Sequence, residues 1–239
     1  MTDTCRRLAF FLLLLASSCS NPPEPPRTVA ALKSGTYEEA SKIREAEPAV
    51  EKNQVLTDAP EPSEKMDPAK VPDVHYVPTP QDVVDMMLHL ARVNKKDLVY
   101  DLGCGDGRIV VSAARNYGCR AVGFDIDPKR IKESLDNVRR NKVQDLVSIH
   151  QKDIFKLDLS RVDVVTLYLL PELNVRLIPQ LEKLKPGSRI VSHAFDMEGV
   201  RPDLILTMWS AEDEEEHSIY MWTTPLVKDV ARENYDEEN

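Results

Sequence analysis

Apolar positions fall into three regimes along the 239 residues. Leu8–Ala16 is an unbroken apolar run of nine behind Arg6 and Arg7. From 20 to 72 the pattern fades into prolines (22, 23, 25, 26, 48, 60, 62, 68 and 72), Glu, Lys and Ala, with few large apolar side chains. From 73 onward two periods alternate. Val83, Met86, Met87, Leu90 and Ala91 recur at helical spacing, with Thr79 placed to cap, Pro80 at the first helical position and Asp82 in the first turn. Leu98-Val99-Tyr100 reads as a strand ending in Asp101, and Ile109, Val110, Ala113 and Ala114 as the helix after it. Val122–Asp125 ends a second strand, and Asp127-Pro128 opens a helix turned inward by Ile131, Leu135 and Val138. Strands follow at Val147–Ile149, at Asp163–Leu170 (apolar enough to be covered on both faces) and at Arg189–His193. A helix from Leu173 to Leu184, broken by Lys185-Pro186-Gly187, lies between the last two. Leu204–Trp209 and Ile219–Thr223 flank the acidic run Glu212–Glu216 as a closing hairpin. Strands and helices that alternate and then end in a hairpin predict an α/β fold: a doubly wound, mostly parallel sheet with an antiparallel edge.

The two front regimes read differently. Residues 1–19 have the charged and apolar regions of a secretory signal, and the run is far shorter than the roughly 20 residues a spanning helix needs. Cys19 follows small residues, as at a bacterial lipoprotein cleavage site, so the expectation is an exported chain anchored to the membrane through Cys19. A translation start further downstream would leave it cytoplasmic. Residues 20–72 cannot bury enough apolar surface to offset ordering entropy and read as a tether, with one short helix across Tyr37–Ala46. The folded domain is expected over 73–225, and 226–239 as an acidic tail.

Charge narrows the function. The 31 basic and 40 acidic residues give −9, against a general nucleic-acid binder, which carries a basic face. The basic cluster 129–142 has acids interspersed and reads as a solvated helix face. Cys5, Cys19, Cys104 and Cys119 make no C-x-x-C pair, and the histidines show no metal spacing. A Cys104–Cys119 disulfide is conceivable and not implied.

The chemistry gathers at Leu98–Val111, LVYDLGCGDGRIVV, where three of the chain's eight glycines fall within five residues. A strand turning through glycines into a helix N-terminus offers free N–H groups and a positive dipole end to a nucleotide-like ligand. No Lys-Ser or Lys-Thr follows Gly107, which excludes a P-loop, and Arg108 stands where a dinucleotide fingerprint places its third glycine. A plain tight turn is the competing reading. Asp125, eighteen residues after Gly107, sits where an acid hydrogen-bonds ribose hydroxyls, with Ile126 beside it. Asp153 and Ile154 follow the third strand.

The pattern D-x-G-x-G-x-G, with Asp101 leading Gly103, Gly105 and Gly107, resembles motif I of class I S-adenosylmethionine (SAM) methyltransferases. That resemblance implies a seven-stranded sheet, SAM as cofactor, and Asp153 and Ile154 against its adenine. The order Y-V-P-T-P, D-L-G-C-G-D-G-R-I-V, G-F-D-I-D-P, D-I-F, V-V-T-L-Y-L-L-P-E-L-N is similar to small methyltransferases of bacteria and mitochondria. The mitochondrial members methylate lysines of inner-membrane proteins such as the adenine nucleotide translocase and an ATP synthase subunit. The resemblance runs from Tyr76 to Trp222 and implies protein-lysine N-methylation as one activity, with the acceptor (a protein lysine or a small molecule) left open; the charge and the next motif argue against a nucleic-acid partner. Many amino-group methyltransferases of nucleic acids carry [DN]-P-P-[YF] after the fourth strand, whereas this chain has Leu169-Leu170-Pro171-Glu172-Leu173-Asn174. Glu172, Asn174 and Tyr168 are the expected substrate contacts, with Glu172 equally readable as a first-turn helix acid. His193 is a candidate base and, ending a strand, equally a structural residue. A non-catalytic envelope-tethered binding protein is the alternative, since export would separate the enzyme from cytoplasmic SAM.

Overall fold

The computed structural model describes residues 76–229. The signal, the Cys19 anchor, the tether and the helix expected across Tyr37–Ala46 lie outside the described residues. Seven strands form one sheet: β1 (Leu98–Leu102), β2 (Arg120–Asp125), β3 (Val147–Gln151), β4 (Val164–Leu167), β5 (Arg189–His193), β6 (Leu204–Trp209) and β7 (Glu216–Thr223). Their order is β3-β2-β1-β4-β5-β7-β6. The first five are parallel, and β7 inserts antiparallel between β5 and β6. The helices are α1 (Gln81–Leu90), α2 (Arg108–Tyr117), α3 (Pro128–Asn141) and α4 (Pro171–Leu181). This is the expected doubly wound sheet with its antiparallel edge. Among the described residues no helix is long and apolar enough to cross a membrane.

Two cores sandwich the sheet, because alternate strand residues face opposite sides. Val83, Val84 and Met87 of α1 and Ile109, Val110 and Ala113 of α2 pack with Val99, Val164 and Val191. Leu177, Ile178 and Leu181 of α4 pack on the other face with Leu102, Val165 and Ile190. Every residue of β4 is therefore buried, as in a strand covered on both faces.

Several boundaries differ from expectation, each for a local reason. β4 stops at Leu167, paired with Leu102, because β1 turns away at Gly103 and leaves Tyr168–Leu170 without a neighbour on that side. α4 starts at Pro171, whose fixed φ suits a first turn. It ends at Leu181, beyond which the Lys183 and Leu184 N–H groups bond three residues back, to Gln180 O and Leu181 O, instead of four. Thr79 does not cap α1: Pro80 takes that position without a side-chain bond, and the Thr79 hydroxyl meets His193 Nδ1 at 3.1 Å. In α3 the cap holds as expected, Asp127 accepting from the Lys129 N–H at 2.8 Å. Its buried seam is Ser134 and Val138, while Leu135 is exposed. A Cβ on Gly107, the N-cap of α2 at φ +77°, would lie 2.9 Å from Ser134 Cβ, so the helices meet through their smallest residues. The chain stays tied to the fold past 225: Val227 O accepts from Arg201 N–H at 2.9 Å, and Asp229 N–H donates to Gly199 O at 3.0 Å. Cys104 and Cys119 are free and buried, with no disulfide.

One partly buried ion pair fastens α1 to the sheet. Arg189 Nη2 of β5 meets Asp97 Oδ2 at 2.6 Å, while Arg189 Nε donates to Ala91 O at 3.0 Å just beyond α1. Asn94 gives the same Asp97 oxygen two further donors, at 2.9 and 2.8 Å. Asp97→Ala would strand the guanidinium and is expected to cost on the order of 3 kcal/mol. The check is urea unfolding, with a lower midpoint and an unchanged slope.

Candidate functional site

The connections from β1 and β4 leave in opposite directions, so a crevice opens beyond the carboxyl ends of these two neighbours, where open α/β sheets bind ligands. A cavity of about 890 Å³ occupies it. That is within the range of small-molecule sites, roughly 300–1,000 Å³.

The glycine turn forms its floor. Gly103 N–H and Cys104 N–H both donate to Phe124 O, each at 2.8 Å, which pins the turn to the end of β2. Gly105 N–H donates to Asp125 Oδ2 at 2.9 Å, and Asp127 N–H to Asp125 Oδ1 at 2.9 Å. Burial pushes the Asp125 carboxyl above its ordinary value, while these backbone donors pull it back. Gly105 has φ +53°, and a Cβ there would sit 2.2 Å from Tyr76 Cε2. Only glycine lets Tyr76 close over the turn. Tyr76 also stacks beneath the Arg130 guanidinium, 4.4 Å from the ring centre, and burial followed by Asp106 pushes its hydroxyl up to about 12.

Asp101 stands at the end of β1 and is 2% exposed. Its Oδ1 accepts from the Thr166 hydroxyl at 2.8 Å, while Oδ2 is buried with no hydrogen-bond partner. Burial pushes this carboxyl up to about 7, with Thr166 opposing and Asp125 and Asp106 adding. Asp153 closes the far end, accepting from Phe155 N–H at 3.1 Å at the start of the short 3-10 turn Ile154–Lys156.

The structure brings Asp101, Gly103, Asp125, Ile126, Asp153, Ile154 and Tyr168 to one cavity. Gly105 and Gly107 stand behind the wall, one under Tyr76 and the other against Ser134. Two of the three expected substrate contacts do not reach it. Asn174 is fully buried and donates through Nδ2 to Asp196 O at 3.1 Å, holding the loop after β5. Glu172 is an exposed acid in the first turn of α4, outside the cavity lining. Thr79, Arg108, Phe155 and Phe195 line the site without having been singled out for it. Arg108 had the clearest signal, a cation opening α2 beside Asp106, which it meets at 2.9 Å while donating to Thr79 O at 2.6 Å.

Known proteins match this site. Residues 101–204 match the family described as the ANTKMT methyltransferase domain. A protein-lysine N-methyltransferase of Saccharolobus islandicus is 44% identical over 154 residues, 64% of this chain and 94% of that protein. A lysine N-methyltransferase of Xenopus laevis, named for its action on an ATP synthase component, is 30% identical over 145 residues, with this chain spanning 62% of its length. Among solved structures, one from Salinibacter ruber, described as an RNA methyltransferase in complex with S-adenosyl-L-homocysteine, is 49% identical with a TM-score of 0.58. It covers 62% of this chain and 94% of its own. Its ligand is the demethylated form of SAM and marks the cofactor of the group. The chain belongs to the class I SAM-dependent methyltransferases, in the family that includes the Saccharolobus protein-lysine N-methyltransferase.

Proposed function

We propose that this chain methylates the amine of a protein lysine, holding SAM with Asp101, the Gly103–Gly107 turn, Asp125 with Ile126, and Asp153 with Ile154. The unpaired, buried Asp101 Oδ2 carries the cofactor assignment. An oxygen facing a cavity in that state calls for a cationic donor, and the α-ammonium of SAM is one. Asp125, fixed by two backbone N–H groups, keeps acceptor capacity for the ribose hydroxyls. Ile154 and Phe155 offer apolar surface for a base ring beside Asp153. SAM supplies a methyl group on a positively charged sulfur, open to in-line displacement. The protein's share is to desolvate and align an unprotonated nucleophile.

The lysine acceptor is supported by the names of the Saccharolobus and Xenopus relatives. Tyr168 and Phe195, aromatic and on one side of the cavity, suit a long aliphatic stem ending in an amine. An RNA acceptor is the second reading, favoured by the description of the Salinibacter structure. The formal charge of −9 counts against it. A binding module without catalysis is not favoured by relatives that are named as methyltransferases.

Tritiated SAM added with the full chain to lysate from a deletion strain is expected to label protein, with the label recovered as methyllysine after hydrolysis. Label confined to a nuclease-sensitive fraction replaces the lysine reading with the RNA one. In calorimetry, Asp125→Ala is expected to weaken SAM binding by about 100-fold, the scale of losing hydrogen bonds to a charged group.

Asp101 carries an expected trade of stability against binding. Its folded value near 7 lies above that of an unfolded aspartate, so the native state binds the extra proton between about pH 4 and 7. Stability from this group is full below that window and is lost as pH rises through 7. Asp101→Asn is therefore expected to stabilise the ligand-free protein at pH 8 by on the order of 2–4 kcal/mol, with no gain near pH 4, and to weaken SAM binding. Thermal unfolding at the two pH values and calorimetry check both halves.

A further inference from the structure

The cavity has two unlike walls. Its carboxylates, Asp101, Asp106, Asp125, Asp127 and Asp153, all belong to the ends of β1, β2 and β3 and the loops after them. The rest of the lining around Thr79, Tyr168, Leu170, Leu173 and Phe195 has no acid. An amine meeting the methyl group from that side must still lose a proton, because an ammonium has no lone pair. With an ordinary lysine value near 10.4, only about one amine in 10³ is neutral at pH 7.

Behind the acid-free wall lies a line of polar side chains that the cofactor site does not use. Thr79 Oγ1 is 3.1 Å from His193 Nδ1. His193 Nε2 is 2.9 Å from His217 Nδ1. His217 Nε2 lies 3.1 Å from both carboxylate oxygens of Asp213. One tautomer set satisfies every contact: the Thr79 hydroxyl donates to Nδ1 of His193, and each imidazole carries its proton on Nε2, pointing outward. The Tyr168 ring, 4.1 Å from the His193 ring, seals the line from the cavity beside Thr79. Thr79 lines the cavity, and Asp213 is exposed at the acidic loop between β6 and β7.

The geometry points to a proton path: Thr79, His193, His217 and Asp213 take one proton from the acceptor ammonium at the cavity wall and release it to solvent at the acidic rim. This rests on the amine-acceptor reading above. In the step, the ammonium gives a proton to Thr79 Oγ1 as the hydroxyl proton moves to His193 Nδ1. The His193 Nε2 proton moves to His217 Nδ1, and that on His217 Nε2 to Asp213. Each ring gives up one proton for the one it receives, so its charge is the same before and after, and the amine keeps its lone pair for the methyl group. His193 and His217 act here as positioning residues, and Thr79 is the member that touches substrate.

Burial followed by His217 lowers His193 to about 4, against a weaker opposing pull from Asp213, so its ring is neutral at pH 7 and passes a proton without storing it. The groups facing it are Thr79 ahead of α1, Tyr168 after β4 and His217 on β7. Outside these stand Glu215, which acts on Tyr168, Arg108 on the Thr79 carbonyl, Asp82 bonded to Ser210, and Glu212 bonded to the Gln81 N–H.

The test has two readouts on the full chain. Nitrogen-15 NMR of the histidines is expected to show the His193 ring neutral and protonated at Nε2 at pH 7, with its Nδ1 shifted in Thr79→Val. A proton on Nδ1 of His193 at pH 7 would overturn the path. With tritiated SAM and poly-L-lysine as the probe acceptor, Thr79→Val is expected to slow transfer at pH 7 by about 100-fold. Thr79→Ser should restore the rate, and SAM binding should hold. The deficit should shrink toward pH 10, where about a quarter of the amine arrives already neutral, and exposed Asp213→Asn should give a smaller loss of the same form. A deficit equal at all pH values, or none, overturns the path while leaving the lysine reading intact. A wild-type chain that binds SAM yet labels neither poly-L-lysine nor any lysate protein overturns the lysine reading instead.

Discussion

The carbonyl of Phe124 accepts two hydrogen bonds from the turn that follows β1, and the geometry of the site follows from that attachment. A glycine turn free at its outer edge would have many conformations. Tied at Gly103 and Cys104 to the end of β2, it keeps one. The next residue of β2 is Asp125, whose carboxylate receives the Gly105 N–H, so turn and acid form one rigid corner. Parallel pairing in register sets this up, with Asp101 opposite Gly123 on one side and Thr166 on the other. The crevice is thus a product of strand order, and its polar floor of backbone groups fixed by strand ends.

That corner holds groups that folding alone would not favour. Asp101 is buried with one oxygen unpaired and only the Thr166 hydroxyl on the other. A carboxylate so placed weakens the ligand-free protein at neutral pH, and the two cores on either face of the sheet offset that cost. Tyr76 over Gly105 works in the same direction: a side chain at Gly105 would displace the segment that covers the cavity. Stability is lowered locally where a cationic cofactor restores it on binding.

In the proposed reaction the two walls of the cavity divide the work of methyl transfer. The carboxylates of β1, β2 and the segment after β3 gather on the cofactor's side, where fixed negative charge suits an ammonium and a sulfonium. The wall formed by Thr79, Tyr168 and Phe195 has no charge of its own. An amine approaching it is desolvated next to a positive sulfur, which already favours its neutral form. In the proposed path the Thr79–His193–His217–Asp213 line gives the displaced proton a way out that never crosses the cofactor's side.

What the sequence determined alone is what neighbouring residues decide between themselves. Asp127-Pro128 caps α3, the glycines after Asp101 turn the chain, and Arg189–His193 is a strand, because each signal acts within a few residues. The acids Asp101 and Asp125 were legible for the same reason, each ending an apolar run and so falling on the carboxyl edge of the sheet, and Asp153 follows the third strand by two residues. Tertiary packing decided the rest. Asn174 sits two residues from the exposed Glu172, and only the approach of the loop after β5 shows that its amide nitrogen is taken up by backbone carbonyls. Thr79 reads as a helix cap until β5, 114 residues on, brings His193 to its hydroxyl. Whether a polar side chain serves its own turn or a distant partner depends on which donor and acceptor the fold places in reach, and short hydrogen bonds carry no trace of that distance along the chain.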